Sequence, residues 1–239
     1  MAKKTFILSF SLILVFFIIL GTYAPVEAKS SSSVKKVVYL TFDDGPNRYT
    51  PKILDVLKKK KVKGTFFLIE PNIRANQNTA KRIVKEGHYP GLHSVSHSVT
   101  KLYKGSSPKV AIEMEKTRVT LKKITKFDSH LTRVPYGSKP YMKTSLRNAL
   151  VKKHFKMWDW NIDSLDWKYK NNNPSKIVSN VKAGLNGKTG PVVILFHDNE
   201  GTAKKLPEII DYLKKKGYIF EVYDPNHHVQ MNFWKDKRL

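Results

Sequence analysis

Beyond residue 36, two kinds of apolar pattern alternate along the chain. Short runs rich in β-branched and aromatic residues, at 37–42, 64–69, 89–93, 131–136, 155–160, 192–196 and 218–223, predict strands. Between them the apolar positions recur at helical spacing. Thr50 and Pro51 open one such stretch, with Ile53, Leu54 and Leu57 on one face. Others run over 75–86 (stopped by Gly87), 108–124, 142–153, 174–185 and 206–216 (closed by Gly217). Strand alternating with helix predicts an α/β fold of parallel strands joined by crossover helices. Strands that are apolar throughout predict a sheet covered on both faces. About seven such strands fit an incomplete (β/α) barrel. In that architecture the functional groups collect at the C-terminal ends of the strands.

The preceding residues read differently. Met-Ala-Lys-Lys, an apolar run over 6–20 and Val26-Glu27-Ala28 make a signal for export, cleaved after Ala28. The run is short for a spanning helix, which needs about 20 apolar residues; a retained membrane anchor is the alternative. Residues 29–36 form a basic, serine-rich linker, and residues 37–239 one domain. The chain has no cysteine, which excludes disulfides, thiolate metal sites and a lipidated cysteine. Its formal charge is +25, and cleavage, which removes Lys3, Lys4 and Glu27, leaves +24. Such a chain concentrates on polyanions. Export argues against nucleic acid and for a secreted, monomeric protein held at an anionic cell wall. The lysine runs at 58–61, 122–123 and 214–216 also suit helix C-termini, so the charge speaks to location more than to chemistry.

The polar residues fall where a barrel would use them. The first strand ends in Asp43-Asp44, the third in His93 and His97, and the fourth in Arg133-Val134-Pro135-Tyr136. Asp163 and Asp166-Trp167 follow the fifth, and Leu195-Phe196-His197 ends the sixth. Two histidines four apart, on one face of a helical turn, share a metal when a carboxylate joins them. Of the two adjacent aspartates, one then ligates and the other serves as base for an activated water. Arg133 makes either a surface salt bridge or a two-pronged hydrogen bond to the base. Pro135 fixes the backbone so that the Tyr136 amide faces a developing oxyanion. Asp166 beside His197 would raise its pKa and make it a general acid. Trp167 and Leu195 would wall an apolar slot for a methyl group; plain packing is the other reading of Trp167.

These motifs, Thr41-Phe42-Asp43-Asp44-Gly45-Pro46, His93-Ser94-x-x-His97, Arg133-x-Pro135-Tyr136, Asp163-x-x-Asp166-Trp167 and Leu195-x-His197, resemble in order those of the polysaccharide deacetylase family, the NodB-homology domain or carbohydrate esterase family 4. The resemblance spans residues 37–223. It implies a distorted (β/α) barrel and metal-dependent removal of N-acetyl groups from amino-sugar polymers. It further implies Asp43 as base, Asp44, His93 and His97 as metal ligands, and Arg133 as the residue that orients the base. Tyr136 would supply the oxyanion amide, Asp166 would tune His197 as acid, and Trp167 and Leu195 would form the acetate pocket. The implied metal is zinc, with cobalt, nickel or manganese as alternatives. Leu92 stands where the family often has Asn, whereas the Asp-Asp pair is intact. The text of residues 134–141 and 157–160 is similar to secreted peptidoglycan deacetylases of Bacillus type. A chitin or chitooligosaccharide deacetylase, and a catalytically silent wall-binding domain, are the other readings. A glycosidase fits less well, because its two carboxylates must flank the bond at about 5 Å or more.

Overall fold

The computed structural model describes residues 35–104 and 109–239. β1 (Val37–Gly45) leads through α1 (Thr50–Lys60) to β2 (Thr65–Leu68). Two helices, α2 (Glu70–Ala75) and α3 (Gln77–Lys85), precede β3 (Tyr89–Leu92). Then come α4 (Val99–Tyr103), α5 (Lys109–Thr125), β4 (Leu131–Thr132), α6 (Thr144–Lys152) and β5 (Lys156–Met157). β6 (Ile162–Asp163), α7 (Asp166–Tyr169), α8 (Pro174–Gly184), β7 (Val192–His197), α9 (Glu200–Lys215) and β8 (Ile219–Glu221) follow. The strands form one sheet in the order β5-β4-β3-β2-β1-β7-β6, with β8 against the start of β1. All the pairings are parallel. The result is the distorted, incomplete (β/α) barrel. The seven expected strands are present, several shorter than the apolar runs that predict them, and β6 adds a two-residue strand.

The two faces of the sheet pack separately. Val38, Leu40, Phe42, Phe66, Leu68, Ile194 and Phe196 face the helical layer, with Ile53, Leu54, Leu57, Leu206, Ile209 and Ile210. The alternate positions Tyr39, Phe67, Tyr89, Leu131, Trp158, Val193 and Tyr223 fill the barrel interior. Edge-to-face contacts at 4.8–5.1 Å between ring centroids link Tyr39, Trp158, Tyr223 and Tyr89 there. A strand's period of two then dictates what comes next. Two and four residues beyond Tyr39 are Thr41 and Asp43; four beyond Tyr89 is His93; two beyond Leu131 is Arg133; four beyond Val193 is His197. One alternation therefore closes the interior with aromatic rings and opens its C-terminal mouth with charged groups.

Two helices differ from the sequence reading in ways that serve this mouth. The stretch expected as a single helix over 75–86 is preceded by α2 and broken at Asn76. Asn76 Nδ2 donates to the carbonyl of Pro46 (2.9 Å) and Asn72 Nδ2 to that of Asp44 (2.8 Å), so α2 is pinned to the turn after β1. α9 starts at Glu200 rather than 206 and holds Pro207 in its interior. The Asn199 side chain caps it, accepting from Thr202 N at 2.9 Å. Its first turn can lie close to α7 only because residue 201 is glycine: a Cβ there would stand 1.9 Å from the Lys170 carbonyl oxygen. No helix among the described residues is long and apolar enough to cross a membrane. The expected signal and most of the linker, residues 1–34, lie outside the described residues.

Candidate active site

Asp43 and Asp44 are neighbours in sequence, and a regular strand would point them to opposite faces. β1 avoids this with a register shift against β2, where Asp43 pairs with Phe67 and Gly45 with Leu68, leaving Asp44 extra. Asp44 takes the left-handed conformation (φ 71°) that this needs. Both carboxylates thus reach the mouth, in different company.

Asp43 is buried and faces Arg133, whose Nη1 donates to Asp43 Oδ1 at 2.9 Å. The contact has one prong rather than the expected two. Arg133 is itself fully buried, and its other N–H groups are engaged: Nε with the Trp158 carbonyl (3.0 Å), Nη2 with that of Asp159 (2.7 Å), and Nη1 also with Thr41 Oγ1 (2.7 Å). Its guanidinium lies 4.2 Å over the Phe67 ring. It is a fixed cation at the back of the site and not a surface salt bridge.

Asp44, His93 and His97 converge, each offering one ligand atom, all within 4.8 Å of one another. His93 Nε2 is 3.5 Å and His97 Nε2 is 3.2 Å from Asp44 Oδ1. His93 Nδ1 lies 2.6 Å from the Arg133 carbonyl oxygen, which can only accept; the proton therefore sits on Nδ1 and leaves the Nε2 lone pair free. Asp44 Oδ1 is buried without an aligned hydrogen-bond donor. A buried carboxylate oxygen of that kind calls for a cation. Burial alone would raise the pKa of Asp44, but the contact with His97 and the charges of His93, His197 and His97 hold it well below the usual carboxylate range. Burial pushes His93 down, toward the neutral form that ligates. Two imidazoles and one ionised carboxylate fit a divalent cation.

The helical turn expected for the histidine pair is absent. His93 follows β3 directly, and residues 93–98 form a bend in which Ser94 (φ 69°) and His97 (φ 44°) are left-handed. The histidines meet because this loop folds back on itself, with His97 N donating to Ser94 Oγ at 3.1 Å.

His197 ends β7 opposite Asp43 in the β1–β7 register. Its Nδ1 is 2.8 Å from Oδ1 of the fully buried Asp166. Burial lowers the pKa of His197, but the Asp166 hydrogen bond and charge more than offset it and push it up to about 9. Asp166 is held by donors from His197 N (2.7 Å), Asn199 Nδ2 (2.8 Å) and Thr202 Oγ1.

Tyr136 is half exposed, has φ 66°, and donates from its hydroxyl to the His97 carbonyl at 3.1 Å. Leu195 is buried and pairs with Asp163 across β6–β7. Trp167 is half exposed, and its Nε1 donates to Asp163 Oδ2 at 3.3 Å. The supporting residues Asn72, Asn76, Asn199 and Thr202 carry no motif of their own. Thr41 was legible as a polar residue two before Asp43 on an otherwise apolar strand.

Two histidines and a carboxylate able to hold a cation at the mouth of a parallel barrel, with an arginine-held aspartate and an aspartate-held histidine beside them, define the class. The family model described as polysaccharide deacetylase matches residues 30–158, and the chain belongs to that family. It is a deacetylase of a metal-dependent family, as the resemblance of its motifs implied. It is 43% identical over 212 residues to a peptidoglycan-N-acetylglucosamine deacetylase of Bacillus cereus, covering 86% of this chain and 76% of that protein. It is 32% identical over 209 residues to the peptidoglycan-N-acetylmuramic acid deacetylase PdaA of Bacillus subtilis, covering 86% of this chain and 74% of that protein. Among solved structures, a polysaccharide deacetylase of Bacillus cereus superposes with a TM-score of 0.82 at 41% identity, covering 86% of this chain and all of that one.

Proposed function

We propose that this protein is a zinc-dependent N-deacetylase of peptidoglycan, exported and working outside the membrane. One observation carries the chemistry: the Asp44–His93–His97 cluster lies beside Asp43, which is held by Arg133, and Asp43 pairs across the strands with His197, which is held by Asp166. Asp44, His93 and His97 hold the metal; the two-imidazole, one-carboxylate set suits zinc, with cobalt, nickel or manganese as substitutes. The cation would polarise the acetyl carbonyl and bring the pKa of a water toward about 7. Asp43, fixed by Arg133, takes the proton of the attacking water. His197, charged at neutral pH, protonates the departing amine nitrogen. The Tyr136 backbone N–H donates to the carbonyl oxygen as negative charge develops on it. Trp167 and Leu195 hold the methyl group. The products are acetate and an amino sugar bearing a free ammonium group.

The activities of the relatives and the excess of basic residues support the substrate. A formal charge of +25 favours an anionic wall, with an attraction that salt screens. The test is acetate release, with mass spectrometry of the digested glycan, from intact peptidoglycan and separately from chitooligosaccharides, at low and high salt. Deacetylated glucosamine or muramic acid in peptidoglycan is expected, with wall binding that weakens at high salt. Acetate from chitooligosaccharides alone would overturn the substrate, and no acetate from either would overturn the enzyme.

A further inference from the structure

The loop that carries His97 needs an anchor. Its backbone is left-handed at Ser94 and His97, and neither residue is glycine. His97 N to Ser94 Oγ and the Tyr136 hydroxyl to the His97 carbonyl restrain it within the mouth, and Glu70 N of α2 donates to the Ser94 carbonyl at 3.1 Å. The Val95–Ser96 turn between these points is held from outside the barrel. Glu113, in the second turn of α5, places Oε2 where three donors of the loop converge: Val95 N at 3.0 Å, Ser96 N at 2.8 Å and Ser96 Oγ at 3.0 Å. Successive backbone N–H groups aimed at one anion form a nest for negative charge. Charge-assisted bonds of this kind are roughly twice as strong as neutral ones.

We infer that Glu113 is a positioning residue for the metal centre, fixing His97 through the turn at Val95–Ser96. This rests on the reading that Asp44, His93 and His97 bind a divalent cation. The Glu113 carboxylate bonds to Val95 and Ser96 and to none of Asp44, His93 and His97. Its effect passes through one ligand: His93 is held independently by β3 and by its bond to the Arg133 carbonyl, and Asp44 by the β1 bulge. Loss of the carboxylate frees the loop to leave its left-handed conformation, and His97 is then no longer in place before the cation arrives.

The test compares wild type, E113A, E113Q, H97A and the double variant H97A/E113A. Zinc affinity is measured by competition with a chromophoric chelator, and the visible spectrum of the cobalt-loaded protein is recorded. Supporting residues around metal sites typically contribute about 10–100-fold to affinity. E113A should raise the zinc Kd by about 10–100-fold and alter the cobalt spectrum. E113Q keeps an acceptor oxygen without the charge and should fall between E113A and wild type. In the H97A background, E113A should change Kd less than about twofold, because the ligand it positions is gone. Wild-type zinc affinity in both E113A and E113Q overturns the inference while leaving the metal site intact. So does an undiminished effect in the H97A background. Should E113A not fold, E113Q alone decides by its Kd. Failure of wild type to bind zinc, cobalt, nickel or manganese overturns the metal site itself, a distinguishable result.

Discussion

Replacing Asp166 by asparagine tests the proposed acid more sharply than removing the imidazole. Against the opposing effect of burial, the Asp166 hydrogen bond and charge, with the charges of Asp43 and Asp44 adding to them, lift His197 from an ordinary 6.5 to about 9, a net shift of roughly 3 kcal/mol at ~1.36 kcal/mol per pK unit. The D166N variant should still fold. With its side-chain oxygen in the place of Oδ2, the new amide still accepts from His197 N, Asn199 and Thr202. Its NH2 then takes the place of Oδ1 and donates to His197 Nδ1, which favours neutral imidazole protonated on Nε2. Burial is then opposed only by the charges of Asp43 and Asp44, and the pKa falls. At pH 7.5 a group of pKa about 9 is roughly 97% protonated and one at the ordinary 6.5 about 10%, so a return to the ordinary value would cut activity about tenfold there. The assay is kcat/KM for acetate release from pH 5 to 10. The alkaline limb should move from near 9 toward acid. A bound cation lowers that limb in both proteins, so the displacement between them is the quantity to read. The stability effect has the matching sign. A raised histidine pKa adds stability that is fully present below about 6.5 and is lost as pH rises through about 9. The Tm deficit of the variant should therefore be largest in acid and close in alkali. Superimposable pH profiles, or a lowered plateau with unmoved limbs, would refute the assignment.

Asp43→Asn should retain the metal, measured by elemental analysis, while losing about 10²–10⁴ in rate, because Arg133 still finds an acceptor oxygen but no base remains. Chelation should abolish acetate release, and zinc or cobalt should restore it; full turnover by metal-free protein would exclude Asp44, His93 and His97 from the reaction. Asp198, buried behind the site with its carboxyl bonded to Thr50, is pushed up to about 7 by burial, with the charges of Asp44 and Asp43 adding to the shift and the Thr50 bond opposing it. A carboxyl raised in this way costs stability as it ionises. Wild type should lose stability as pH rises from about 4 through 7, whereas Asp198→Asn should not, and melting curves at pH 5 and 8 would show the gap open.

The alternation of residues along the strands carried most of the fold and half of the site. Tyr39, Thr41 and Asp43 share one face of one strand, as do Val193, Leu195 and His197 of another. Strand period alone therefore sent a carboxylate and an imidazole to the same mouth, and the β1–β7 register set them opposite each other. Arg133 and His93 follow by the same count. The count fails where the backbone departs from the strand. Asp44 is one residue out of phase, and only the bulge against β2 returns it to the mouth. A spacing of four between His93 and His97 suggests a helical turn, yet the turn is a bend held by Ser94 and Glu113.

What the sequence hid has a common physical origin. Asn72, Asn76, Glu113, Asn199 and Thr202 all lie in or at the ends of the outer helices, and each reaches inward to one bond or one loop of the mouth. Their partners are distant in sequence, or are backbone groups with no residue identity, so no spacing can announce them. Within the inner ring, Asp43, His93, Arg133 and His197 follow strand periodicity and are legible. The outer ring is set by helix packing and is not. The two adjacent aspartates show why both rings are needed. The strand gives Asp43 to Arg133, and the bulge, pinned by Asn72 at the Asp44 carbonyl, gives Asp44 to the histidines. One pair of identical residues thereby acquires two chemistries from two sets of neighbours.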